Sequence, residues 1–217
     1  MIDFATAREA MVDGQVRPSD VTRYPIILAM LTVPREDYVP DALREVAYLG
    51  EHVPLARGRV VLDPRVFAKM LDALAVGPKD LVLDVGCGLG YSTAVLARMA
   101  EAVIALEEDE VLAAGAETAL TAHAVDNAVV QKGALAAGVP AHGPYDAIVI
   151  EGAVTRVPEA LTDQLKPGGR IVAIFQDGPN GQARLGLKTG SGMAWRRIFD
   201  ATAPILPGFA AAKAFEF

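Results

Sequence analysis

Short apolar runs rich in β-branched residues alternate with helix-length segments over the second half of the chain. The apolar runs lie at 81–85, 102–106, 128–130, 147–150 and 170–174, and the helical segments between them lie at 91–99, 109–123 and 158–165. Continuous apolar strands separated by helices are typical of βαβ units, which build a parallel sheet covered on both faces. Further runs at 183–187 and 195–200 flank a Gly190-Ser191-Gly192 turn. We therefore predict a doubly wound, Rossmann-like α/β sheet that ends in an antiparallel hairpin.

The first 79 residues follow a different pattern, in which short helical segments are interrupted by proline and glycine. Helices are expected over 3–12, from a cap at Ser19 or Asp20 to about Thr32, and over 64–74 behind an N-cap at Asp63. Residues 53–62 are expected to be extended or looped, because proline and glycine interrupt them. The change of pattern divides one compact domain into an N-terminal helical segment at 1–79 and a sheet-forming core at 80–217.

Composition and charge narrow the class of protein. The 217 residues carry 20 Lys and Arg against 27 Asp and Glu, a net charge of −7 without a basic run, which argues against a nucleic-acid partner. Cys87 is the single cysteine, and the three histidines show no metal-ligand spacing, so we expect no disulfide and no metal site. The sequence begins without the pattern of a signal peptide and has no apolar window of membrane-spanning length. A cytoplasmic protein without a membrane partner is expected.

The most informative segment is Asp84-Val85-Gly86-Cys87-Gly88-Leu89-Gly90, which joins the first core strand to the following helix. Glycines let a backbone approach a ligand closely, and a helix start offers free N–H groups. The spacing is G-x-G-x-G, the form seen in S-adenosylmethionine-dependent methyltransferases, whereas a dinucleotide fingerprint would need glycine in place of Tyr91. Glu107 ends the second strand, where an acidic side chain accepts the ribose hydroxyls of an adenosine. Together these features predict an S-adenosylmethionine site.

Other segments carry a family resemblance. Val33-Pro34-Arg35-Glu36-Asp37-Tyr38-Val39 is similar to the signature V-P-R-x-x-F-V, and residues 54–64 lie where the same family has P-I-G-x-G-Q-T-I-S-x-P. The chain resembles the protein-L-isoaspartate (D-aspartate) O-methyltransferase family over most of its length. The resemblance is carried by these segments, by the loop 84–91 and by the stretch from 145 to 169. The resemblance implies a class I methyltransferase fold. It also implies a protein-repair activity that methylates the free carboxylate of isoaspartyl residues in protein or peptide substrates.

The chain departs from the family's pattern at three polar positions. Leu62 stands where the family has its active-site serine, and Val60 stands where it has a threonine. Ala134 stands where an aspartate is expected to meet the adenine amino group, and Gly50 stands near the place of another aspartate, with Glu51 beside it. The chain is therefore a divergent member by this resemblance, and the departures bear on the acceptor more than on the fold.

The residues expected to contact the cofactor lie at the carboxyl ends of the core strands and in the loops that follow them. They are Asp84, Gly86, Cys87, Gly88, Gly90, Glu107, Glu108, Gly133, Ala134 and Glu151. No catalytic residue is assigned, and the candidates near Leu62 are Val60, Glu51 and His52. A carboxylate acceptor, with a usual pKa of about 4, needs positioning and partial desolvation but no general base. Because a leucine is a poor neighbour for a carboxylate, Leu62 indicates another acceptor or weakened activity.

Other functions stay open at this point. A non-catalytic, cofactor-binding or regulatory protein would keep the glycine loop and lose the transfer chemistry. A methyltransferase with a hydroxyl or amine acceptor would need a base, for which Glu51, His52, Asp63 and Glu151 are candidates. A nicotinamide-dependent dehydrogenase is disfavoured by Tyr91 and by the lack of a second catalytic domain.

Overall fold

A seven-stranded mixed sheet forms the centre of the molecule. The structure is a computed structural model that describes residues 2–56 and 58–210. The sheet strands are β3 (Leu81–Val85), β4 (Ala102–Glu107), β5 (Ala128–Lys132), β6 (Tyr145–Val154), β7 (Leu165–Asp177), β8 (Asn180–Thr189) and β9 (Gly192–Asp200), and β1 (Val53–Pro54) and β2 (Val60–Val61) form a separate hairpin. The order is β5-β4-β3-β6-β7-β8-β9, parallel from β5 to β7 and antiparallel from β7 to β9. The predicted parallel sheet with a closing hairpin is confirmed.

The register of the central strands brings their carboxyl ends to one edge of the sheet. Val85 lies opposite Leu106 on one side and opposite Ile150 on the other. The residues that follow these three positions are therefore neighbours in space, although they are far apart in the chain. This edge carries the glycine loop, Glu107 and Glu151.

Six α-helices surround the sheet or lie in the N-terminal segment. They are α1 (Phe4–Met11), α2 (Tyr24–Thr32), α3 (Pro64–Leu74), α4 (Tyr91–Ala97), α5 (Glu110–Ala122) and α6 (Glu159–Thr162), among the described residues. The predicted cap at Asp63 is confirmed, since its carboxylate accepts from the N–H groups of Arg65 and Val66. The predicted start of α2 at Ser19 or Asp20 is wrong. Asp20 has a left-handed conformation with φ of 67°, and α2 starts at Tyr24 with Arg23 as its N-cap.

The N-terminal segment and the sheet share a hydrophobic core. One cluster of buried side chains joins Met11, Ile27 and Phe67 of the N-terminal segment to Val95 of α4 and Val149 of the sheet. A second cluster lies around Ile148, Ile150 and Phe209. Burial of this apolar area is the main force that fixes the N-terminal segment against the sheet. Within residues 2–56 and 58–210, no helix has the length and apolar character required to cross a membrane.

Candidate functional site

The glycine loop turns tightly at the edge of the sheet. Gly86, Gly88 and Gly90 have φ of 83°, 59° and 93°, in the left-handed region that favours glycine. The N–H of Gly86 donates to the carbonyl of Leu106 at 2.8 Å, which fixes the loop to the neighbouring strand. Gly90 is the N-cap of α4 and has no side chain to satisfy the first N–H groups of that helix. The loop therefore has no side chains at three positions beside the end of β4.

Glu107 receives five N–H donors at this edge. Arg59 Nη1 donates to Oε1 and Nη2 donates to Oε2, each at 2.7 Å. The backbone N–H of Gly88 donates to Oε2 at 2.9 Å, and those of Glu108 and Asp109 donate to Oε1 at 3.0 and 3.1 Å. The side chains of Arg59 and Glu107 are 4% and 0% exposed. A bidentate guanidinium and three backbone N–H groups stabilise a charged carboxylate here.

Arg59 is the residue of this site that the sequence analysis missed. It belongs to the turn of the β1–β2 hairpin, whose other side places Leu55 over the glycine loop. A Cβ atom on Gly86 would lie 2.9 Å from Arg59 Nη2, and one on Gly88 would lie 2.5 Å from Leu55 Cδ1. The hairpin thus covers the loop at contact distance. The one signal in the sequence is that Arg59 stands where the resembled motif has glutamine.

Asp84 lies under the loop and is fully buried. Its Oδ2 accepts from Ser92 Oγ at 2.7 Å and from Thr93 Oγ1 at 2.6 Å. Its Oδ1 has no hydrogen-bond partner among the described residues. Burial raises the pKa of Asp84 to about 6 against these two hydrogen bonds, which lower it.

Glu151 ends the central part of β6 at the same edge and is 5% exposed. Its Oε1 is a second buried carboxyl oxygen without a hydrogen-bond partner in the described part of the chain. Burial raises the pKa of Glu151 well above its usual value, and the neighbouring charge of Asp84 raises it further. Two carboxyl oxygens with unused acceptor capacity fit the ammonium group of an S-adenosylmethionine amino-acid end. Glu107 stands at the position for its ribose, but its oxygens are already paired with Arg59.

Leu62 points into the core instead of into an open site. Its side chain is 1% exposed, and its carbonyl accepts from Arg35 Nη2 at 2.8 Å. Arg35 also donates from Nε to the carbonyl of Ala47 at 2.6 Å and lies 4.8 Å from the ring centroid of Tyr91. Position 62 is thus a packing position, whose backbone is held by a buried arginine.

The catalytic candidates near Leu62 do not converge on one reacting point. His52 Nδ1 accepts from the N–H of Asp63 at 2.8 Å, and Nε2 lies 2.8 Å from the carbonyl of Thr202, so Nε2 carries the proton. His52 therefore acts as a connector between the α3 cap and the chain after β9. Glu51 is exposed, and Val60 pairs with Pro54 in the hairpin.

The remaining cofactor candidates lie around Glu107. Glu108 is half-buried and contributes its backbone N–H to Glu107, while the N–H of Gly133 donates to the Glu107 carbonyl at 3.0 Å. Ala134 follows as an exposed residue. Burial raises the pKa of the Cys87 thiol well above its usual value, so Cys87 is a neutral small residue in the loop. The described residues include no group of three or more His, Cys, Asp or Glu side chains arranged to hold a metal ion.

Two cavities flank the segment from Gly50 to Asp63. One, of about 610 Å³, is lined by His52, Arg65 and Arg197 among others, and the second, of about 560 Å³, is lined by Gln15, Gly50, Asp63 and Arg65 among others. Both adjoin the start of α3, and no residue of the glycine loop lines either of them. Clefts of this size have room for part of a second partner.

The chain is similar in sequence to protein-L-isoaspartate O-methyltransferases. The family model described as "Protein-L-isoaspartate(D-aspartate) O-methyltransferase" matches residues 7–193. A protein-L-isoaspartate O-methyltransferase of Methylorubrum extorquens is 41% identical over 185 residues, which cover 85% of this chain and 80% of that protein. Another, of Roseiflexus castenholzii, is 35% identical over 211 residues, 96% of each chain.

Solved structures share the fold. A protein-L-isoaspartate O-methyltransferase superposes with a TM-score of 0.80 at 22% identity, over 93% of this chain and 66% of that chain. A putative protein-L-isoaspartate O-methyltransferase from Plasmodium falciparum, in complex with S-adenosyl-L-homocysteine, superposes with a TM-score of 0.78 at 20% identity, over 95% of this chain and 99% of that chain. The predicted class I methyltransferase fold is confirmed.

Proposed function

The chain belongs to the protein-L-isoaspartate(D-aspartate) O-methyltransferase family, and we propose from this premise that it methylates the free carboxylate of isoaspartyl residues in proteins or peptides. The observation that carries the proposal is the position of Glu107, a buried carboxylate at the end of β4 beside three left-handed glycines. Glycines after one parallel strand and an acidic residue at the end of the next are the features that adenosine-containing cofactors use at the edge of a sheet.

The residues at the edge have separate roles toward S-adenosylmethionine. Glu107 would accept the ribose hydroxyls, and Gly86 to Gly90 would allow the cofactor to approach the backbone. The unpartnered oxygens of Asp84 and Glu151 would accept from the ammonium group of its amino-acid end. When bound, the cofactor supplies an electrophilic methyl group on a positively charged sulfur.

The chain itself has little proton chemistry to perform for a carboxylate acceptor. The acceptor is already ionised at neutral pH, so the protein has to hold it in line and keep water away. The cavities beside His52 and Asp63, with Arg65 in both linings, are where we place the substrate peptide. Because Leu62 is buried and offers no hydroxyl, we expect slow turnover. Loss of one active-site hydrogen-bond donor commonly lowers the rate by about 10²–10³-fold.

Methyl-ester formation on a pair of isomeric peptides tests the proposal. Purified protein is incubated with labelled S-adenosylmethionine and a peptide that contains isoaspartate, or with the same peptide containing aspartate. We expect label in the isoaspartyl peptide alone, and none with Glu107→Ala. Binding of S-adenosylhomocysteine without label in either peptide would contradict the substrate proposal and favour a non-catalytic, cofactor-binding protein.

Glu151 favours a second candidate, a methyltransferase whose acceptor has to lose a proton. Its unpartnered Oε1 lies at the edge that we assign to the cofactor, where a base would be needed. The variant Glu151→Gln separates the two candidates because glutamine cannot take up a proton. With a carboxylate acceptor and saturating S-adenosylmethionine, which offsets any weaker hold on the cofactor, we expect the variant to keep at least about a tenth of the rate. Loss of about 10²-fold or more would favour the base.

We also propose that the reaction takes place in the cytoplasm, since the single buried cysteine fits a reducing compartment. The natural partners are tested in a lysate, where the methyl label taken up by damaged cytoplasmic proteins is compared with the label taken up by fresh ones. More label in the damaged proteins is expected if the partners are isoaspartyl proteins. Equal labelling of fresh and damaged proteins would contradict it.

A further inference from the structure

Arg59 reaches Glu107 from a distant part of the chain. It stands 48 positions before Glu107, on the turn of the β1–β2 hairpin. Arg59 makes two backbone hydrogen bonds there, from Leu55 N–H to the Arg59 carbonyl at 2.9 Å and from Arg59 N–H to the Ala56 carbonyl at 2.7 Å. These bonds hold the backbone of Arg59 where its guanidinium reaches the edge of the sheet.

The carboxylate of Glu107 has no acceptor capacity left beside Arg59. Oε1 accepts from Arg59, Glu108 and Asp109, and Oε2 accepts from Arg59 and Gly88. A carboxylate offers about four lone-pair positions, and five donors already share them. Two ribose hydroxyls and the bidentate guanidinium cannot occupy the same two oxygens.

The hairpin also occupies the space above the loop. A single added carbon on Gly86 would touch Arg59, and one on Gly88 would overlap Leu55. Both contacts are made by the ends of flexible side chains, so the hairpin narrows the space above the loop without closing it. The ion pair with Glu107 is therefore the main obstacle to the cofactor.

We propose that Arg59 is an intramolecular competitor of the cofactor, which binds Glu107 in place of the ribose and has to leave before S-adenosylmethionine binds. The inference rests on the cofactor assignment in the proposed function, but it is independent of the methyl acceptor. The affinity for the cofactor then equals the intrinsic affinity multiplied by the fraction of molecules in which Arg59 has left Glu107. Residue 59 thus sets cofactor affinity without being a cofactor ligand.

The variant Arg59→Gln tests the competition directly, because it removes the cation and the bidentate geometry. Isothermal titration with S-adenosylhomocysteine is expected to give a dissociation constant about tenfold or more lower than in the wild-type protein, the gain expected if the pair is closed in more than about 90% of molecules. Arg59→Lys keeps the charge and loses the fork, and it is expected to show a smaller gain of the same sign. Arg59→Lys also tests the competition if Arg59→Gln does not fold.

Arg17→Gln is the matched control. Arg17 pairs with Asp13 at 2.9 Å on the surface, with side chains 52% and 71% exposed, and its loss is expected to leave the dissociation constant unchanged. Equal or weaker binding by both Arg59 variants would overturn the competition, and weaker binding would make Arg59 a cofactor ligand. Absence of binding in every variant would overturn it together with the cofactor assignment. Failure of isoaspartyl methylation would leave the binding result intact.

Discussion

The two members of the buried ion pair are expected to contribute unequally to stability. Arg59→Ala leaves the Glu107 carboxylate with three backbone N–H donors, from Gly88, Glu108 and Asp109. Glu107→Ala leaves those three N–H groups and a buried guanidinium without their acceptor. Breaking a buried pair by removing one partner costs about 3–5 kcal/mol when the other charge is left uncompensated. We expect about that loss for Glu107→Ala and about 1–3 kcal/mol for Arg59→Ala, because hydrogen bonds to its N–H groups still satisfy the carboxylate.

Urea unfolding followed by circular dichroism measures the difference. The free energies of unfolding of the wild type, both single variants and the double variant form a double-mutant cycle. The double variant is expected to be more stable than Glu107→Ala alone, since the uncompensated guanidinium is gone. If Arg59→Ala costs as much as Glu107→Ala, the three backbone N–H groups do not hold the carboxylate and the reasoning is refuted.

Three other changes test the site. Ala134→Asp is expected to tighten S-adenosylhomocysteine binding by about tenfold through one added hydrogen bond, or to leave it unchanged, and weakening in a titration would place the adenine elsewhere. Val60→Thr with Leu62→Ser is expected to leave isoaspartyl methylation no faster while costing about 2–4 kcal/mol in urea unfolding, because Leu62 packs in the core and a serine there does not face an open site; a faster rate would contradict the assignment of position 62 to packing. Asp84 has its pKa raised from 3.8 to about 6, so its ionised form opposes folding. Stability relative to Asp84→Asn is therefore expected to fall by up to about 3 kcal/mol between pH 4 and pH 7, and a constant difference would contradict the shift.

The existence of the core strands followed from local features of the sequence, whereas one helix boundary did not. Each core strand contains a continuous apolar run rich in β-branched residues, so its type was clear without tertiary information. At α2, Ser19 and Asp20 have the chemistry of a cap, but the chain folds into a 3₁₀ turn at Arg17–Ser19 instead. Pro25 stands in the first turn of α2 and was the better signal for its start.

The partner of Glu107 could not be predicted from spacing along the chain. Glu107 itself follows a strand and a glycine loop, so its position at the sheet edge is a local inference. Arg59 reaches it only because the hairpin folds over the loop, and residues 48 positions apart carry no periodic relation. The burial of Leu62 could not be predicted for the same reason. A sequence motif shows which residue stands at position 62, but the direction of its side chain depends on how the surrounding core packs.

The electrostatics of the sheet edge favour the carboxylate acceptor over one that has to lose a proton. An ionised Glu151 would repel an incoming carboxylate, and an efficient base needs a pKa near the working pH in an accessible position. Burial raises the pKa of Glu151 and the charge of Asp84 raises it further, so both disfavour its ionised form. A carboxyl group whose ionised form is disfavoured repels an incoming carboxylate less. The burial that restricts access to Glu151 as a base therefore also lowers its repulsion of an isoaspartyl substrate.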